Sequence, residues 1–153
     1  MADHKLILGS EKLTSVFGYW PSFHDAEVVW LHLDRRGSEL GEGATVEALV
    51  HAFEMTREVD PAGYFVQRHH VLVHFRFSGV AELKVDDLNQ QNVLFELRIS
   101  GVGDEQSEER RLAVDFNSTW GVGATFRCEK AAVMSVEACD KDGVPVRPGP
   151  PPD

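Results

Sequence analysis

Nine consecutive residues, Tyr19-Trp20-Pro21-Ser22-Phe23-His24-Asp25-Ala26-Glu27, gather three aromatic rings, a histidine and two carboxylates. An imidazole beside a carboxylate can work as an acid/base pair: Asp25 would hold one tautomer of His24 and raise its basicity. Neighbouring side chains on a strand point to opposite faces, so that pairing demands an irregular backbone here. A structural role competes with it. Trp20 and Phe23 would plug a helix onto a sheet, while Asp25 or Ser22 bonds backbone groups left without ladder partners. Position favours the structural role, because the chain changes direction at Pro21. A partner-binding surface is the remaining alternative for Trp20, Phe23, His24, Asp25 and Glu27.

Seven histidines invite a metal site. His70 and His74 share one face of a strand, but four residues of strand span about 13 Å, too far for both to hold one ion. A site there would need His32 or His51 from neighbouring strands. Surface histidines are the reading that the spacing supports, and no metal is expected. Cys128 and Cys139 lack zinc-ligand spacing, and Cys128 shares a strand face with Ala124 and Phe126, which suits a reduced core thiol. Gly101-Val102-Gly103 and Gly121-Val122-Gly123 lack the third glycine and the following helix of a dinucleotide loop. No G-x-S-x-G nucleophile elbow occurs. The expectation is a chain with no catalytic residue, no metal and no cofactor.

The elements that must position these residues are strands. One short helix is expected between Gly9 and Gly18, with Ser10 as its cap and Leu13, Val16 and Phe17 at helical spacing. After Pro21 the period switches to two. Residues 27–34 and 45–54 alternate, and Val71, Val73, Phe75 and Phe77 mark the clearest strand. Val80 to Leu88 follows with Leu83 and Val85 inward, then Val93, Phe95, Leu97 and Ile99, then Leu112, Val114 and Phe116. Asn117 to Gly121 reads as a turn. Ala124, Phe126 and Cys128 make a further strand, and residues 131–138, with Met134 and Val136, make the last. About eight strands joined by turns, with no intervening helices, predict an all-β antiparallel sandwich or strongly curved barrel-like sheet. The expected organisation is one domain over residues 1–144 and a disordered tail over 145–153, where five of nine residues are proline.

Composition narrows the partners. Against 15 Lys and Arg stand 25 Asp and Glu, a formal net charge of -10. That field repels phosphate backbones and anionic lipid, which argues against nucleic acid or membrane and for a basic partner. No stretch reaches the ~20 apolar residues of a membrane helix. The N-terminus offers only Leu6-Ile7-Leu8 as an apolar run and no signal-peptide cleavage site, so the expected compartment is the cytoplasm.

The run Trp20-Pro21-Ser22-Phe23-His24-Asp25-Ala26-Glu27 resembles the W-x-x-F-H-D-A-E opening of a small bacterial all-β family, number fifty among the immunity proteins of polymorphic toxin systems. Three further segments are similar to that family: His51-Ala52-Phe53-Glu54-Met55-Thr56, Asn89-Gln90-Gln91-Asn92-Val93 and Trp120-Gly121-Val122-Gly123-Ala124-Thr125-Phe126. The resemblance spans most of residues 15–139 and carries over no catalytic residue. It implies a non-catalytic binder that neutralises a toxin domain, and the acidity suits a basic one. Trp30, with His32, and Trp120 are then the candidate anchors. The other readings are a structural or oligomerising domain, homodimeric through a sheet edge or face, and a small-molecule-binding or hydrolytic barrel with His24, Asp25 and interior histidines around a cavity.

Overall fold

A computed structural model of the chain describes residues 4–37, 41–103 and 111–146. Among these residues nine strands form: β1 (Ile7–Leu8), β2 (Glu27–Asp34), β3 (Thr45–Val59), β4 (Phe65–Ser78), β5 (Ala81–Asp86), β6 (Val93–Val102), β7 (Arg111–Trp120), β8 (Gly123–Cys128) and β9 (Lys130–Ala138). They form one open sheet in the order β1-β9-β4-β3-β2-β6-β7-β8-β5. All neighbours run antiparallel except β1 against β9, a two-residue parallel pair that sequence alternation is too short to reveal. The fold is all-β with one short helix, as the sequence reading expects.

The sheet consists of two panels. Strands β1, β9, β4, β3 and β2 form the first, and the contiguous segment carrying β6, β7, β8 and β5 forms the second. The chain leaves the first panel at Ser78 and re-enters it at Lys130, and these two residues are direct cross-strand partners. Glu129 N–H donates to the Ser78 carbonyl at 2.9 Å, closing this neck. On the far side the panels meet through a single ladder pair, Glu27 with Val93. The sheet curls so that its panels face each other across the core. The Phe77 ring of β4 lies 5.1 Å from Phe126 of β8 and 6.1 Å from Phe116 of β7. Each such edge-on aromatic pair adds roughly 0.5–1.5 kcal/mol beyond the area it buries.

The helix α1 (Glu11–Phe17) buries Leu13 and Phe17, one turn apart, against the first panel. It ends where Gly18 takes φ 82° and gives its N–H to the Thr14 carbonyl at 2.7 Å. Ser10 does not cap it as expected. Its backbone is already helical, so its hydroxyl cannot reach forward, and its carbonyl instead accepts from Leu13 and Thr14.

Register shifts on three strands overturn the simple alternation. On β6, Leu94 pairs with Ser118 and Glu96 with Asn117, which leaves Phe95 as an extra residue. Leu94, Leu97 and Ile99 are therefore buried, and Phe95 faces solvent. On β9 the register slips between Val133 and Ser135, so Met134 turns outward while Val133 fills the core. On β5 a register shift beside left-handed Glu82 keeps Leu83 packed inward and leaves Val85 exposed. Residues 117–120, expected as a turn, remain in β7 because Trp120 pairs with Val93, and the turn shrinks to Gly121-Val122. Cys128 and Cys139 are buried, and burial pushes their thiols up to about 12 and about 11. Of the expected tail, Pro145 bridges to Cys139, and Val146 N–H donates to the Ala138 carbonyl at 3.0 Å. Residues 147–153, Ser38 and the acidic connection over 104–110 lie outside the described residues.

Candidate functional site

The four family-like segments of the sequence converge on the seam between the panels. Glu27 pairs with His51 on β3 and with Val93 on β6, and Val93 pairs in turn with Trp120. The link from Trp20 to Glu27 extends that seam in backbone hydrogen bonds. Asp25 N–H donates to the Leu94 carbonyl at 2.9 Å, Leu94 N–H donates to the Ala26 carbonyl at 2.8 Å, and Val28 N–H donates to the Asn92 carbonyl at 2.8 Å.

This path requires an unusual backbone. Phe23 and Asp25 take φ 63° and 65°, the left-handed region that costs a residue with a Cβ about 1–3 kcal/mol. The distortion lets Phe23 enter the core while its neighbours stay outside. Its ring sits 5.7 Å from both Trp20 and Phe75, edge-on to each. Ser22 supplies the side-chain bond at this corner, its Oγ accepting from His24 N–H at 3.2 Å. Trp20 stacks on His4 and leaves its indole N–H buried without an acceptor among the described residues.

His24 and Asp25 face solvent, with side chains 56% and 43% exposed. His24 Nδ1 lies 3.0 Å from the Phe95 carbonyl, so that nitrogen carries the proton. Its Nε2 stands 3.7 Å from Asp25 Oδ2, beyond hydrogen-bond reach. The tautomer is thus set by a backbone carbonyl, whereas the acid/base reading gave that task to Asp25. The hollow next to this segment, about 430 Å³, is lined by Trp20, Pro21, Ser22, Glu96 and Arg98 rather than by either residue of the pair.

Asn92, which the sequence marks only as part of the family-like segment Asn89-Gln90-Gln91-Asn92-Val93, is the polar knot of the seam. It is buried, and its Oδ1 accepts from Asn89 N–H and Val122 N–H, both at 2.9 Å. Its Nδ2 donates to the Asn89 carbonyl at 2.8 Å. A Cβ at Gly121 would fall 2.6 Å from that Oδ1, so only glycine fits beside it. The signal in the sequence was an asparagine and a glycine-bounded turn with no partner of their own.

The histidines divide. His74 Nε2 meets Glu47 Oε1 at 2.8 Å, and its ring packs against Trp30 at 5.3 Å. His70 pairs with His51, Nδ1 to Nε2 at 2.9 Å. Burial lowers the pKa of both, and the charge of His70 lowers that of His51 further, against an opposing pull from Asp140 and Asp142. Among the described residues no three His, Cys, Asp or Glu side chains converge as metal ligands. Trp120 is 64% exposed and Phe95 52%, flanking the seam on the solvent side, and Trp30 is partly exposed on β2.

An all-β chain whose family-like segments converge on one solvent-flanked seam has the fold and segments that the sequence resemblance implied for an immunity protein. The model of the Immunity protein 50 family matches residues 9–139, and the chain belongs to that family. An immunity role in general follows from that membership. No curated protein and no solved structure matches the chain. Among the described residues no helix is long and apolar enough to cross a membrane.

Proposed function

We propose that this chain is a non-catalytic binder that neutralises a basic toxin domain by occupying it, acting as one domain over residues 1–144. The observation that carries the reading is the surface around the seam. Trp120, Phe95 and Trp30 expose aromatic area beside Glu27, on a chain with a formal net charge of -10. Aromatic anchors contribute disproportionately to interface energy, and complementary charge speeds encounter. His24 and Asp25 support binding better than catalysis, since their side chains do not hydrogen-bond to each other and line no hollow beside the segment.

The test is a titration, with the purified chain, of the toxin domain that a pull-down with the chain recovers. Binding by occupation predicts that toxin activity falls linearly and vanishes near one equivalent. Loss of activity at a small fraction of an equivalent would mean turnover and overturn the reading, as would full toxin activity at excess. Trp120→Ala is expected to weaken capture by about 2 kcal/mol or more with an unchanged melting temperature.

A further inference from the structure

Strand β2 pairs with β3 along its whole length but with β6 only at Glu27. From Val29 to Asp34 the backbone groups on that second side have no ladder partner among the described residues. Two hollows follow this open edge. One, of about 400 Å³, lies between Glu27–Leu31 and the loop Leu88–Asn92, with Asp142 at its rim. The other, of about 440 Å³, lies between Leu33–Arg35 and the start of β5 at Val80–Leu83.

Edges of this kind are normally blunted by lysine, proline or a covering element, because they invite another strand. The sequence Val28-Val29-Trp30-Leu31-His32-Leu33 carries neither lysine nor proline, and Val29, Trp30 and Leu33 are exposed. The bulge at Val29 is the one irregularity on it. We infer that the β2 edge is a docking strand that takes an extended, basic segment of the toxin as an added antiparallel or parallel neighbour. This rests on the immunity reading above and specifies where and how the partner is held.

Charge selects the occupant. Glu27 and Asp142 line the first hollow and make no ion pair among the described residues, so a lysine or arginine of the incoming segment finds free carboxylates there. Trp30 in the same hollow offers a ring face to such a cation. A second copy fits worse. In the antiparallel register that pairs all eight residues of β2 with themselves, Glu27 faces Asp34 at both ends, and like charges directly opposite destabilise a ladder.

Hydrogen exchange on the full chain tests this, with an alternating lysine-valine octapeptide as the probe and its glutamate-valine counterpart as the control. The expected result is slowing of exchange by about tenfold or more at residues 29–34 with the basic peptide only. Leu33→Lys, at an exposed position, is expected to abolish the slowing while melting like the parent. Unchanged exchange with the basic peptide, or equal slowing with both, would overturn the docking strand. Exchange in the captured toxin complex separates the two ideas. A complex that leaves residues 29–34 unprotected overturns the docking strand and keeps the immunity reading. Protection by the peptide together with an unneutralised toxin keeps the site and overturns the immunity reading.

Discussion

Phe23 stands edge-on to Phe75 with ring centroids 5.7 Å apart, although Phe23 belongs to a solvent-facing link and Phe75 to the centre of the first panel. That contact anchors the Trp20 to Glu27 link onto β4. Phe23→Ala empties a fully packed site and should cost about 3–5 kcal/mol. For a domain of this size the melting temperature would fall by roughly ten degrees. Calorimetry that finds the variant within about 2 °C of the parent would show that Phe23 does not anchor the link.

Asp25 holds φ 65° with an exposed carboxylate, so its backbone matters more to folding than its charge. Asp25→Gly should melt close to the parent, since glycine adopts this conformation freely. Asp25→Val forces a β-branched residue into the same region and should cost about 1–3 kcal/mol. If the two variants melt alike, the strain has been misplaced. Toxin capture on the Asp25→Gly variant then reads the carboxylate's role in binding without a folding defect.

Replacing Asn92 by Ala orphans the buried Val122 N–H together with both bonds to Asn89. The expected loss is about 2–4 kcal/mol in chemical denaturation. Asn92→Asp should not rescue it, because the carboxylate keeps the acceptor but loses the donor and buries a charge. A rescue by aspartate would show that the Nδ2 bond contributes nothing.

Acid should loosen the β3–β4 pairing at its histidine pair. His51 and His70 are held below the ordinary histidine pKa, chiefly by burial, so the unfolded chain binds their protons more readily. Stability from these groups is complete above about pH 6.5 and is lost as the pH falls below it. Asp140 and Asp142 oppose part of that loss. His51→Phe should flatten the stability profile between about pH 6.5 and pH 5. An equally steep profile in that variant would assign the acid sensitivity elsewhere.

Strand periods were legible wherever one face is buried along an unbroken ladder, as with Val71, Val73, Phe75 and Phe77 or Leu112, Val114 and Phe116. They misled at Phe95 and Met134, because a bulge inserts one residue without any compositional mark and inverts the faces beyond it. The junction role of Trp20 to Glu27 was visible from its aromatic density and from Pro21. The identity of the bonding groups was not. Sequence offered Asp25 or Ser22, and the corner uses Ser22 with the backbone of Asp25, since a left-handed residue turns its side chain away from the seam. His51 and His70 lie nineteen residues apart and meet only through the β3–β4 register, which periodicity alone does not fix.

The neck between Ser78 and Lys130 sets an order of birth. A ribosome delivers β2, β3 and β4 early, but β4's other neighbour, β9, is spelled out only after the whole second panel. Until then the edge from Val71 to Ser78, which carries the core residues Val71, Val73, Phe75 and Phe77, waits open while some fifty residues are added, a delay of a few seconds at common translation rates. The nascent chain therefore passes through a stage in which its future core is half built and exposed. Its last strand completes the first panel and closes the second behind it in one event.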